Sequence, residues 1–422
     1  MNKIKQTTLK NNLKLITVPM TGTKTATILV VVGTGSKYEN KKNNGISHFL
    51  EHMFFKGTKK RPNTLAISSE LDGVGGEYNA FTTKEYTGYW VKVDSSKIKL
   101  AIDIVSDMLL NSKFDSEEIN REKGVIAEEI NMYHDNPIMY IEDVFETCLY
   151  GNSPAGWEII GTKKNISSFK RQDFISYLES QYGAGNTVIC VAGNMKNDID
   201  KLIDKYFFKL KQCGFKEKQA VKEKQGKPNV KLHYKKTDQA NLSLGVRTYP
   251  INHKNEYILK VLGIILGGSM SSRLFTELRE RRGLAYYVRT QTEFYTDSGY
   301  LTTQAGVPVD KIEEAIKVIL KEYRKLTKVL VSEKELIKTK DLIRGRSTIQ
   351  FESSDNVAGW YAKQGILREK ILSPENFFKE IDKVKASDIK KVAKEIFSSK
   401  GLNLALIGPS KNEKKFEKIL KL

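Results

Sequence analysis

The sequence lacks any uncharged apolar run of about 18 residues, the length a membrane-crossing helix needs, so no membrane partner is expected. Its first stretch, MNKIKQTTLKNNLKLITVPM, has neither an apolar signal core nor a small-residue cleavage site. Ordinary export is not indicated, and a cytoplasmic location is expected. Cysteine is scarce. Cys148, Cys190 and Cys213 are odd in number, far apart and form no CxxC pair, which argues against a disulfide framework or a thiolate metal site and fits a reducing compartment. Nucleotide-binding signatures are missing as well. Gly33-Thr34-Gly35 lacks the third glycine of GxGxxG, and GxxxxGK[ST] does not occur. Histidine is also sparse, with five in 422 residues.

What is abundant is lysine. The formal net charge is +20, carried by 57 Lys and 13 Arg scattered over both halves of the chain. Readers of nucleic acid favour Arg forks and aromatic side chains interleaved on one surface. Dispersed lysine instead reads as a solvated surface, and no nucleic-acid partner is expected.

A chain of 422 residues suits two domains of about 200 residues. The polar stretch 209–228, KLKQCGFKEKQAVKEKQGKP, reads as a linker. It divides the chain into domains at 1–212 and 229–422, with the Lys-rich linker at 213–228. The halves resemble each other. GAGNTVICVAG, ending at Gly193, matches SKGLNLALIG, ending at Gly408, and KIKLAIDIVSDML from Lys97 matches KIEEAIKVILKEY from Lys311. The offsets, 215 and 214, nearly agree, as a duplicated domain requires. Strands are expected at 27–33 and 86–93, with helices at 97–111, 116–133 and 171–182. In the second half strands are expected at 241–247 and 299–305, and helices at 255–266, 310–326 and 332–346. The fold class is therefore α+β: two homologous domains, each a mostly antiparallel sheet with helices packed on it.

One segment concentrates chemistry. In GISHFLEHMFFK, residues 45–56, the apolar set Ile46, Phe49, Leu50, Met53 and Phe54 follows a helical stripe. With His48 at 0° and about 100° per residue, that stripe centres near 160°, His52 lies near 40° and Glu51 near −60°. Two imidazoles at i and i+4 can share one tetrahedral ion, and Glu51 can take a proton from a water held there. HxxEH is the inverted form of the HExxH peptidase motif, and chance predicts roughly 0.004 copies in a chain of this composition. A catalytic zinc site needs a third protein ligand. In the helix holding SEEINREKGVIAEEI, Glu129 falls on the apolar face and Glu128 outside it. A buried carboxylate needs a partner, so Glu129 is the expected ligand and Glu128 a solvated residue. Glu122 lies on the face of Glu129 and can orient a histidine.

These motifs resemble the pitrilysin-like (M16) metallopeptidases, in the short-chain branch that includes mitochondrial processing peptidase subunits and bacterial processing-protease-like enzymes. The likeness rests on HFLEHMFFKGT, GGEYNAFTTKEYTGY (75–89), EKGVIAEEI (122–130) and GGSMSSRLFTELRERRGLAYYV (267–288), and spans essentially the whole chain. It implies one Zn²⁺ per chain on His48, His52 and Glu129, with Glu51 as general base and Glu122 as support. It implies that Arg279 and Tyr286, seven residues apart, bind substrate and the oxyanion. It also implies an edge strand at Gly75–Ala80 on which Gly76, Tyr78, Asn79 and Ala80 hold an extended peptide. The expected activity is that of a zinc metalloendopeptidase cutting unfolded peptides in an enclosed chamber. A homodimer is expected, with each site shared between chains. The alternatives are a catalytically silent partner subunit and a basic nucleic-acid-binding protein. The second half offers no second site: positions equivalent to 48–52 read Leu-Gly-Ile-Ile-Leu at 262–266, and the Glu129 equivalent is Arg344.

Overall fold

The β-branched run TATILVVV and the stretches TVICVAG and LNLALIG are too apolar to be edge strands, because each residue must find a covered face. In the computed structural model, which describes residues 4–195 and 198–422, all three lie inside sheets. The chain forms two units.

The first unit contains residues up to Asn131, then Glu158–Gln219 and Ser347–Ile371. Its strands are β1 (Lys5–Thr8), β2 (Lys14–Pro19), β3 (Thr25–Val32), β4 (Glu77–Thr82), β5 (Thr87–Asp94) and β6 (Thr187–Gly193). They run in the order β1-β2-β6-β3-β5-β4, with every pair antiparallel except β2 with β6. Successive side chains of β3 point to opposite faces. Leu29 and Val31 pack with Val188, Cys190 and the helix residues Val357, Ala358, Tyr361 and Ala362. Helix Ile98–Asn111 packs on β3 and β5.

The second unit contains Met132–Trp157, Ala220–Arg346 and Leu372–Leu422. Its strands are β7 (Asn229–Tyr234), β8 (Gln239–Arg247), β9 (Tyr287–Phe294), β10 (Gly299–Pro308) and β11 (Leu402–Gly408). They run β7-β11-β8-β10-β9, and only β7 with β11 is parallel. This order repeats β2-β6-β3-β5-β4 strand for strand. The mixed α+β architecture with two such sheets is thus the one the sequence implied.

The sequence halves 1–212 and 229–422 supply one sheet each, and each unit also takes a segment from the other half. Helix Pro137–Tyr150 packs Ile141, Val144, Phe145 and Leu149 against Tyr300, Ala405 and Ile407 of the second unit. Helix Ser354–Leu367 covers the first sheet in the corresponding way, and its Ser354 hydroxyl bonds Thr27 of β3. Periodicity cannot reveal such an exchange, because it records which face is apolar and not which sheet receives it. The linker stretch has no regular structure between Lys211 and Lys224, yet its backbone is tethered: Lys211 O accepts from Ala184 N–H, and Val221 N–H donates to the Asp297 carboxylate.

Candidate metal centre

The site is built on helix Ile46–Met53 of the first unit. Gly45, at φ +101°, starts this helix where a side chain would meet the carbonyl of Ile160. The free N–H groups of a helix start attract a carboxylate. Here that is Glu39, whose oxygens accept from Gly45 N–H (2.8 Å), Ser47 N–H (2.8 Å) and the Asn44 amide (3.0 Å). Burial raises the Glu39 carboxyl above its ordinary range, and these donors oppose the rise. The Ser47 hydroxyl bonds Tyr177 (2.8 Å), which in turn bonds Thr34 (2.9 Å). The stripe Ile46, Phe49, Leu50, Met53 and Phe54 is buried, each such side chain being worth about 1.5–3 kcal/mol. Helix register is thereby fixed from both its end and its flank.

The opposite face presents His48 and His52, 12% and 21% exposed, with ring centroids 4.7 Å apart. Glu129 reaches them from helix Ser116–Asp135. Its Oε1 lies 3.6 Å from His48 Nε2, and its Oε2 lies 3.4 Å from His52 Nε2. One atom from each of these residues lies within 4.8 Å of the other two. Such separations are long for a hydrogen bond. They match a tetrahedral zinc, whose ligand atoms at bond lengths of about 2.0–2.2 Å sit roughly 3.4 Å apart. The buried Oε2 of Glu129 has no hydrogen-bond partner, so a cation suits the donor set. Burial opposes charge on Glu129, but His48 and His52 outweigh it and hold its carboxyl down at about 2. Burial likewise opposes charge on His52, and Glu122 and Glu129 outweigh it, raising the imidazole to about 9.

Glu122 is 3% exposed on the same helix face as Glu129. Its Oε1 accepts from His52 Nδ1 at 2.8 Å, and its Oε2 pairs with Lys56 Nζ at 2.6 Å. With Nδ1 bonded to Glu122, Nε2 is the ring nitrogen left for a metal ion. Glu128 is exposed and bonds Asn131. Glu51 stands one residue before His52, and its Oε2 accepts from the Thr82 hydroxyl at 2.7 Å. Sequence reasoning missed Glu39, Lys56 and Thr82. Only Lys56 had a legible signal, being a cation one turn beyond His52 and able to answer a carboxylate there.

Among the described residues, strand β4 ends the sheet and pairs only with β5. Gly75, at φ +63°, and Gly76 lead into it, Tyr78 stacks on Phe55, and Asn79 Oδ1 accepts from Ala80 N–H. Arg279 and Tyr286 belong to the second unit. Tyr286, 76% exposed, lies just before β9, and the Arg279 guanidinium lies 5.7 Å from its ring centre. Arg279 sits on a π-helical turn, Phe275–Glu280, a form often found at functional positions.

Comparison with known proteins gives the family of the chain. Residues 14–163 match the model of the insulinase family, peptidase family M16, and residues 168–343 match the peptidase M16 inactive domain. The uncharacterized zinc protease YmxG of Bacillus subtilis is 36% identical over 97% of this chain and 99% of its own length. The chain belongs to the M16 peptidase family. A second relative, an uncharacterized zinc protease of Rickettsia felis, is 38% identical over 95% of this chain and 97% of its own. The crystal structure of a protease from Helicobacter pylori superposes with a TM-score of 0.91 at 25% identity, covering 96% of this chain and 99% of that one. Among the described residues of this M16 chain, the cluster His48, His52 and Glu129 is the one group of three that could hold a metal ion. Likewise, no helix there is long and apolar enough to cross a membrane.

Proposed function

We propose that the chain is a zinc-dependent endopeptidase acting on unfolded peptides. The observation that carries the reading is a three-ligand cluster, His48, His52 and Glu129, with a further carboxylate, Glu51, beside it and outside the ligand set. His48, His52 and Glu129 would hold one Zn²⁺, which when bound polarises the scissile carbonyl and acidifies water. Glu51 accepts the proton of the attacking water and returns it to the departing amine. Glu122 and Lys56 hold His52 in its working orientation. An extended peptide adds to β4, held by main-chain hydrogen bonds, a mode that needs free backbone and tolerates many sequences. Flexible peptides are therefore substrates, and compact domains are not.

Tyr286 donates a hydrogen bond to the oxyanion, and Arg279 positions the substrate backbone. The chain works as a homodimer, in which these two residues of one subunit complete the centre of the other. The exposure of Tyr286 supports this, because a phenol open to solvent is available to a second surface.

Peptide cleavage followed by mass spectrometry tests the reading. Wild-type protein should cut, chelation should stop cleavage, and added zinc should restore it. Cleavage that survives complete metal removal would overturn it. For the dimer, Glu51→Gln and Tyr286→Phe are mixed after dissociation. A mixed dimer has one intact site, so activity should return. Mixed dimers that form and stay inactive would refute the shared site.

A further inference from the structure

We infer that Thr82 is a positioning residue for Glu51, tying the proton acceptor to the strand on which substrate is registered. The inference rests on the peptidase reading given above. Thr82 is the last residue of β4, and its backbone is fixed opposite Thr87 in the ladder. Its single hydroxyl proton goes to Glu51 Oε2 at 2.7 Å, since the other acceptor in range, Ser47 O, lies at the marginal distance of 3.5 Å. Glu51 Oε1 accepts no hydrogen bond among the described residues. One oxygen is therefore anchored and the other is open to take a proton.

The anchor matters because of what Glu51 is attached to. A glutamate on a helix face turns about three side-chain bonds, and only a fraction of those rotamers aims the carboxylate at the metal centre. Thr82 is stiffer, being β-branched and set in a strand. A hydrogen bond from a stiff residue to a supple one selects the supple residue's rotamer. Misplacing a reacting group by about 1 Å can cost 10²-fold in rate. Because β4 is also the free sheet edge, the residue that aims Glu51 belongs to the strand that would hold the peptide. Drift of β4 relative to helix Ile46–Met53 would then move acceptor and substrate together.

Thr82→Val and Thr82→Ser separate this role from packing. Valine keeps the β-branch and removes the donor, whereas serine keeps the donor. Thr82→Val should lower kcat by about 10–100-fold with KM unchanged, and Thr82→Ser should stay within about threefold of wild type. Zinc content and Tm should match wild type in both. Full activity in Thr82→Val, or equal loss in both variants, would overturn the inference, as would loss of zinc from Thr82→Val. Glu51→Gln is assayed alongside. If it keeps wild-type turnover, the proton-acceptor reading itself fails; if it is inactive while Thr82→Val is normal, only the inference about Thr82 fails.

Discussion

Glu122→Gln isolates the support behind the metal centre. The carboxylate lies between His52 Nδ1 at 2.8 Å and Lys56 Nζ at 2.6 Å and is almost wholly buried. The amide keeps the size of the side chain and an oxygen that can still accept from His52. It loses the negative charge and turns an NH₂ donor toward the ammonium of Lys56, which is 23% exposed and can swing into water. The orienting bond to His52 falls from charge-assisted to neutral, roughly halving its strength. Loss of a partner of this kind costs about 10–100-fold in metal affinity, or about 1.4–2.8 kcal/mol. Competition between the protein and a zinc-binding dye at constant neutral pH measures this directly. Lys56→Met should weaken zinc less, because the bond from His52 to Glu122 survives. Glu128→Gln should leave affinity unchanged, because Glu128 faces solvent. Zinc affinity of Glu122→Gln within about threefold of wild type would refute the argument, as would an equal loss in Glu128→Gln.

Other consequences can be measured on the same protein. His52→Ala and Glu129→Ala should each lose zinc, whereas Glu128→Ala should retain it; zinc retained without Glu129 would remove it from the ligand set. Glu51→Gln should keep zinc and lose about 10²–10⁴-fold in turnover, because an amide cannot accept the proton. A compact domain should be cut far more slowly than its denatured form, and equal rates would count against addition to β4. The second unit carries a pH effect: burial first, and then the charge of Glu146, raise the Glu142 carboxyl above 4.5. A raised carboxyl contributes stability that is present below 4.5 and lost as pH climbs through its folded value. Glu142→Gln keeps an acceptor for Gln291 and Tyr300, so its Tm should exceed wild type at neutral pH and match it below 4.5. An identical gain at both pH values would show that charge is not the cause.

The parts of the fold legible in the sequence were those set by one face of one element. The stripe from Ile46 to Phe54 placed the ligand helix, although that helix stops at Met53 where Phe54 and Phe55 turn the chain toward Gly57. The stripe on helix Ser116–Asp135 separated Glu129 from Glu128, although Val125, an apolar residue of the same helix, is half exposed. The contacts that position the site were illegible, because their partners are remote in sequence: Glu39 at the helix start, Thr82 on Glu51 and Tyr177 on Ser47. Such bonds arise only when the sheet brings those segments together. Arg279 and Tyr286 carried no local signal, since a cation at a helix end and a tyrosine before a strand are ordinary residues.

The duplicated half shows what the ligand helix has to avoid. Its counterpart, Glu256–Gly267, buries Leu262, Ile265 and Leu266 at the positions corresponding to His48, Glu51 and His52. Its position for the third ligand holds Arg344, which pairs with Asp382. In that half the ligand face has become core, and the helix packs against β9, the counterpart of β4. A metal face and a packing face compete for the same side of such a helix, because a site must stay open to water and substrate whereas a core must exclude both. In the first half Glu39, Ser47 and the opposite apolar stripe secure the helix, and β4 touches its ligand side through the Thr82–Glu51 hydrogen bond, so His48 and His52 can remain half-buried. The sequence difference between the two copies is therefore a difference in how each helix is held. Regaining a site in the second half would require another means of fixing Glu256–Gly267 as well as new ligands.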